Sequence, residues 1–240
     1  MCYKGWMSRR SKLTRHYRKS LIFCASLFSL ALLLTFAACE KPDPSDPVGV
    51  EVKKGIVPQP DAEVAVIENA NPAFGKIVIE LYPNLAPKMV EQFKTLTKQG
   101  FYNGVAWHRV NVQSGVIQTG DPNSKNDTGV PLPSEALPAN LPAEFSDILY
   151  ERGIVGAARR GPGGGLSELD AYDSANSQWF VTLKRVTAWD KKYTIFGKVI
   201  QGLNNSDVIA GAPVEPGTER PAPKIIIKSI TLEPRSSYVK

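Results

Sequence analysis

Cysteine, histidine and acidic residues are each missing from part of these 240 residues, and each gap closes off a class of function. The three cysteines are Cys2, Cys24 and Cys39, so the chain beyond them can hold neither a disulfide framework nor a thiolate metal site. Two histidines occur, His16 and His108. With His16 near the N-terminus, a His-rich metal site is excluded from the body, and a His-based triad would have to use His108. No acid precedes Glu40, whereas seven of the 29 basic residues do: Lys4, Arg9, Arg10, Lys12, Arg15, Arg18 and Lys19. The formal charge of +6 therefore belongs to this leader, because the rest carries 22 basic against 23 acidic residues, a net of −1. A body so balanced offers no phosphate-tracking surface, and no nucleic-acid partner is expected. The glycine-rich run Gly161-Pro162-Gly163-Gly164-Gly165 lacks the Lys-Ser/Thr of a phosphate loop and reads as a flexible segment of an insertion reaching Asp173. A Ser-hydrolase elbow is absent too.

What the leader does contain is ordered like an export signal. Residues 1–20 are basic, residues 21–38 (LIFCASLFSLALLLTFAA) carry no charge, and Cys39 follows two alanines. A charged region, an apolar run and a small-residue processing site in that order mark residues 1–38 as a signal peptide. Phe36-Ala37-Ala38-Cys39 resembles the lipobox of bacterial lipoproteins, with Phe36 where Leu is usual, and the resemblance implies lipidation of Cys39. Ordinary cleavage after the alanines and an uncleaved signal anchor are the competing readings, since 18 apolar residues can span a bilayer. The expected location is the cell envelope, facing the periplasm or the exterior, with the membrane as a partner through lipidated Cys39 or the anchor. Residues 39–60 are Pro-rich and polar and are expected to be a tether; 61–235 form the folded domain, and 236–240 a tail.

From Glu63 the pattern turns to short alternating apolar runs. Val64 to Ile67 and Ile77 to Leu81 read as a hairpin whose connection supplies Asn, Pro and Gly. Pro87 opens a helix that places Met89, Val90, Phe93 and Leu96 on one face, and Gly100 closes it. Further strands are expected over Val105–Val110, Val116–Thr119, Ile154–Ala158, Gln178–Leu183, Thr194–Ile200 and Ile225–Leu232. Eight short strands and few helices point to a mainly β fold, an antiparallel barrel or sandwich.

The pattern becomes specific at Phe101-Tyr102-Asn103-Gly104, Trp107-His108-Arg109-Val110 and Val116-Ile117-Gln118-Thr119-Gly120-Asp121. It continues through Leu141 to Phe145, Gly153 to Arg159, Asn176 to Val181 and Tyr193 to Val199. These blocks, in this order over residues 63 to 232, resemble the cyclophilins. The resemblance implies a closed eight-stranded antiparallel β-barrel capped by two helices, the second near Asn204 to Ala210. It also implies peptidyl-prolyl cis-trans isomerase activity on proline-containing polypeptides, by a monomer with no cofactor or metal. Arg109 matches the family's catalytic arginine and Gln118 its active-site glutamine, while Phe180 matches the floor of the proline pocket. Trp189 falls where Leu is usual, with Ala188 at the family's Trp. Ala158, Arg159, Gln178 and Tyr193 match groove positions. His108 stands in the same block, although strand alternation turns it away from Arg109 and toward a structural role. The chain departs from the family between Arg109 and Gln118, where it has one residue more and carries Gly115-Val116 in place of Phe-Met. A proline-pocket wall is therefore expected to lack an aromatic ring.

Such chemistry needs no nucleophile. An X-Pro bond is held by amide resonance with a barrier of about 18–20 kcal/mol, and a guanidinium that donates to the prolyl nitrogen favours the twisted state, in which that lone pair is released.

Overall fold

The computed structural model describes residues 43–126, 130–133 and 136–239, so the expected signal peptide and Cys39 lie outside the described residues. The alternating runs become strands. β1 is Val52–Lys53, β2 Glu63–Asn69 and β3 Lys76–Leu81; helix α1 spans Pro87–Lys98; β4 is Arg109–Asn111 and β5 Val116–Thr119. Then come β6 (Phe145–Ser146), β7 (Ile154–Ala157), α2 (Glu168–Tyr172), β8 (Trp179–Thr182), β9 (Ile195–Gln201), α3 (Leu203–Ala210) and β10 (Ile227–Pro234). Eight strands form one antiparallel sheet in the order β10-β2-β3-β9-β7-β8-β5-β4. The β2–β3 hairpin turns through a 3-10 segment, Pro72–Phe74, where Asn71 Oδ1 accepts the Ala73 amide at 3.0 Å.

The sheet curls into a half-barrel and does not close, which corrects the expected closed barrel. Closure would need a ladder between β4 and β10. What joins those edges is the bridge Ala106–Ile226 and three bonds, from the amides of Trp107 to Ile225 O (2.9 Å), of Ile227 to Val105 O (2.8 Å) and of Gly104 to Ile227 O (2.8 Å). The expected strand over Val105–Val110 accordingly survives only from Arg109. On its other side, toward β5, Ala106 N donates to Ser124 Oγ at 2.9 Å and Ala106 O accepts from Thr119 Oγ1 at 2.8 Å, so side chains take the backbone groups that a longer β4–β5 ladder would use.

One face of the sheet and the two long helices enclose the main core. Met89, Val90, Phe93 and Leu96 of α1 are buried against it, as is Ile209 of α3. Phe93 stands at its centre, with its ring 5.4 Å from Tyr102, 5.9 Å from Trp179 and 5.4 Å from Phe196.

Two stretches differ from their sequence expectation. Within the segment assigned to the tether, β1 pairs in parallel with β6, Lys53 Nζ donates to Leu85 O at 2.6 Å, and Asp46 bridges Lys54 and Lys191 at 2.7 and 2.8 Å. The insertion after Gly161, expected to be flexible, ends in helix α2, which Ser167 caps; Ala171 and Tyr172 are buried there, with Tyr172 edge-on to Phe145. Among the described residues no helix is long and apolar enough to cross a membrane.

Candidate functional site

Alternation along β5 sends Ile117 and Thr119 into the core and leaves Val116 and Gln118 on the outer face. Register then aligns a row across four strands: Arg109 is opposite Gln118, Gln118 opposite Phe180, and Phe180 opposite Gly156. The additional residue of the β4–β5 connection lies in the Val112–Gly115 loop, where Asn111 Oδ1 accepts the Ser114 amide at 2.6 Å and Asn111 O the Gly115 amide at 2.8 Å. A loop can lengthen without disturbing the ladder, so Arg109 and Gln118 stay directly opposed. The far end of the row must be glycine, since a Cβ at position 156 would lie 2.5 Å from Phe180 Cζ and 2.6 Å from Tyr150 Oη.

The polar half of the row is a relay of side chains. Arg109 Nη1 donates to Gln118 Oε1 at 3.3 Å, and Gln118 Nε2 donates to Gln178 Oε1 at 2.9 Å. Arg109 Nε donates to Glu219, which also accepts from Asn111 Nδ2, and Val110 N anchors the same loop by donating to Glu219 O at 2.7 Å. The hydrogen bond from Arg109 holds the Glu219 carboxyl below the usual range against a smaller opposing effect of burial. Both partners remain over a third exposed, so the contact serves geometry more than stability. With Nε and Nη1 engaged, the guanidinium plane is set and Nη2 keeps its donors.

The apolar half is aromatic. Phe180 lies 5.0 Å from Trp189, 5.8 Å from Tyr193 and 5.9 Å from Tyr150, and Val116 is fully buried in the same cluster. Asp190 pins the loop that carries Trp189 and Tyr193: its carboxylate accepts from Arg185 and, at 2.9 Å, from Tyr150 N. Burial raises the Tyr150 hydroxyl's pKa well above normal and leaves its oxygen without a partner. Tyr150, from outside the motif blocks, is fully buried and backs the rings of Phe180, Trp189 and Tyr193 from beneath. Gly115 cannot supply an aromatic wall, because its φ is +78° and a Cβ would lie 2.6 Å from Lys184 Cγ.

Beside the row runs a groove of about 520 Å³, lined in part by Gln118, Gln178, Ala158, Arg159, Arg160 and Asn176. The Arg159 guanidinium lies between two rings, 4.6 Å from Tyr172 and 4.4 Å from Tyr193, and donates to Lys192 O and Arg160 O at 3.1 and 3.0 Å. The structure therefore brings Arg109, Gln118, Gln178, Phe180, Trp189, Tyr193, Ala158 and Arg159 to one face of the sheet, with Val116 fully buried beneath it. His108 is not among them. It lines a separate cavity of about 470 Å³ with Asp121, Asn123 and Arg220, and its Nδ1 is buried without a partner. Burial lowers its pKa, while Asp121 and the Ala106 backbone pull the other way. Glu219 and Tyr150 had no signal in sequence, since they reach the site from distant loops. Among the described residues no three His, Cys, Asp or Glu side chains converge as a metal would require. What the surface offers is a fixed cationic donor at the edge of an aromatic floor, next to a cleft that suits an extended chain.

Known proteins resemble this chain in sequence and in fold. The profile of the family described as "Cyclophilin type peptidyl-prolyl cis-trans isomerase/CLD" matches residues 64–232. The chain is 36% identical over 160 residues to "Peptidyl-prolyl cis-trans isomerase-like 3" of Gallus gallus, covering 66% of this chain and 90% of that protein. It is 38% identical over 162 residues to a "Probable peptidyl-prolyl cis-trans isomerase" of Brucella suis biovar 1 (strain 1330), covering 65% and 78%. In fold it is similar to a crystal structure of a Cryptosporidium parvum cyclophilin type peptidyl-prolyl cis-trans isomerase in the presence of the dipeptide Ala-Pro. There the TM-score is 0.58 at 24% identity, covering 71% of this chain and 98% of that one.

Proposed function

Because the chain belongs to the cyclophilin-type peptidyl-prolyl cis-trans isomerases, we propose that it speeds rotation about X-Pro bonds in polypeptides of the cell envelope, with Arg109 as the catalytic donor. The observation that carries this reading is the row Arg109–Gln118–Phe180, which sets a guanidinium held by Glu219 beside an aromatic floor. A prolyl ring packs on Phe180, Trp189 and Tyr193, and its nitrogen faces Arg109. As the bond twists, the nitrogen lone pair leaves conjugation and becomes an acceptor. A hydrogen bond to a charged donor is worth about 1.5–3 kcal/mol, roughly ten- to a hundredfold in rate. The remaining acceleration comes from a site made dry by rings and from Gln118 and Gln178 holding one side of the bond while the other turns.

An isomerase assay by NMR exchange on a proline tetrapeptide, with the purified full chain, tests the proposal. Acceleration is expected. Peptide binding with no acceleration would instead mark a proline-peptide-binding module on the same fold.

The envelope location rests on the order of the leader and on Cys39. The full chain is expected in the membrane fraction and Cys39→Ala in the soluble one. A Cys39→Ala chain that stays with the membrane would favour the signal anchor.

A further inference from the structure

The groove beside the proline site has a charge that the isomerase reading does not use. Its wall carries Arg159 and Arg160, with Asn140, Ser174, Asn176, Gln118 and Gln178 as the other polar groups and no acid among them. Arg159 is immobilised by its two rings and two backbone carbonyls. Arg160 is exposed, and among the described residues neither guanidinium forms an ion pair. The acids nearest in sequence have other partners: Glu151 pairs with Arg185 at 3.1 Å, Glu168 accepts from Tyr172 Oη at 2.6 Å, Asp170 from Ser167 Oγ at 2.6 Å, and Asp173 from Ala143 N at 2.8 Å. Two cations in a cleft with no internal counter-charge favour a ligand that brings one.

Resting on the isomerase reading, we propose that this groove selects clients bearing an acidic side chain within a few residues of the proline. Arg159 presents a pre-positioned charge, held flat by its rings, while Arg160 adds an adjustable one at the rim. Near-neutral charge over the body makes the discrimination local to the groove, so it depends on where the acid stands in the client rather than on the client's net charge.

The test is kcat/KM on peptides with Glu, Gln or Lys at each of the three positions before the proline and the one after it. At one position at least, Glu is expected to exceed Lys by about threefold or more at low salt. That ratio should fall toward one in 1 M salt, where the Debye length is about 3 Å. Read as a ratio within each variant, the preference should shrink in Arg160→Gln and reverse in Arg160→Glu. A ratio near one at every position, or one unchanged in Arg160→Glu, overturns the proposal. Failure of the isomerase reading looks different, since no peptide is then accelerated. In that case the dissociation constants of the same peptides still read the charge preference.

Discussion

Arg109 is held at two of its nitrogens, by Glu219 and by Gln118, and this makes its orientation a property of three residues rather than one. Arg109→Ala should lower kcat at least tenfold with little change in peptide affinity, because its bond to the prolyl nitrogen exists only in the twisted state. Glu219→Ala should lower kcat several-fold by freeing the guanidinium, and Glu219→Gln, which keeps an acceptor, should recover part of that loss. The double variant Arg109→Ala/Glu219→Ala should be no slower than Arg109→Ala alone, since the carboxylate acts through the arginine. Additive losses would mean Glu219 acts elsewhere, and a Glu219→Ala enzyme faster than the parent would mean the ion pair restrains the arginine instead of aiming it. Arg109, Gln118, Gln178 and Phe180 were legible in sequence because each sits inside a short contiguous block. Glu219, 110 residues from Arg109, was not: a carboxylate in a Pro-rich loop looks like any other until the fold brings it there.

At the level of elements, strands and helices followed apolar spacing closely. Met89, Val90, Phe93 and Leu96 became the buried face of α1, and the period-two runs became β2, β3, β5 and β9. What spacing could not express was competition for backbone groups. Ser124 and Thr119 take the Ala106 backbone groups that a longer β4–β5 ladder would use, and β1 finds β6 across some 90 residues. The Gly115–Val116 substitution also read differently in sequence. As a missing wall it invites a larger side chain; as a left-handed residue packed under Lys184 it forbids one. Gly115→Ala should therefore lower stability by about 1–2 kcal/mol from its φ alone, more once Lys184 is displaced, and lower Tm by at least about 2–4 °C. Gly104→Ala is the control, with φ +84° and no atom within 4 Å of the added carbon. Equal losses in thermal melts of the two variants would show that the Lys184 contact costs nothing.

For the whole molecule, His108 is the only described side chain whose ordinary titration falls between pH 5 and 8. It lies off the site, and rotating an amide moves no proton, so turnover should vary less than about threefold from pH 6 to 8.5, a barrier change under about 0.7 kcal/mol. A bell-shaped profile would bring an acid and a base into the mechanism. Stability has a different profile. Burial lowers the His108 pKa in the folded chain below its ordinary 6.5, so the unfolded chain takes up its proton first as pH falls. That part of the stability is complete above about pH 6.5 and is lost as pH falls from there through the folded value. Glu219, held low by Arg109, adds a loss only below its ordinary 4.5. Tm should therefore drop between pH 7 and 5, and His108→Phe should flatten that window. An unchanged slope in the variant would remove His108 as its cause.

The pairing of β2 with β10 sets an order in time. These strands meet across about 160 residues, and β2 has β3 on its other side and nothing else to take the place of Ile227–Pro234. A chain that emerges N-terminus first cannot finish its sheet until Ile227–Pro234 is free, and contacts so distant in sequence form slowly. The wall stays unbuilt while the chain is still a thread, and the arrival of Ile227–Pro234 beside β2 is what completes the sheet.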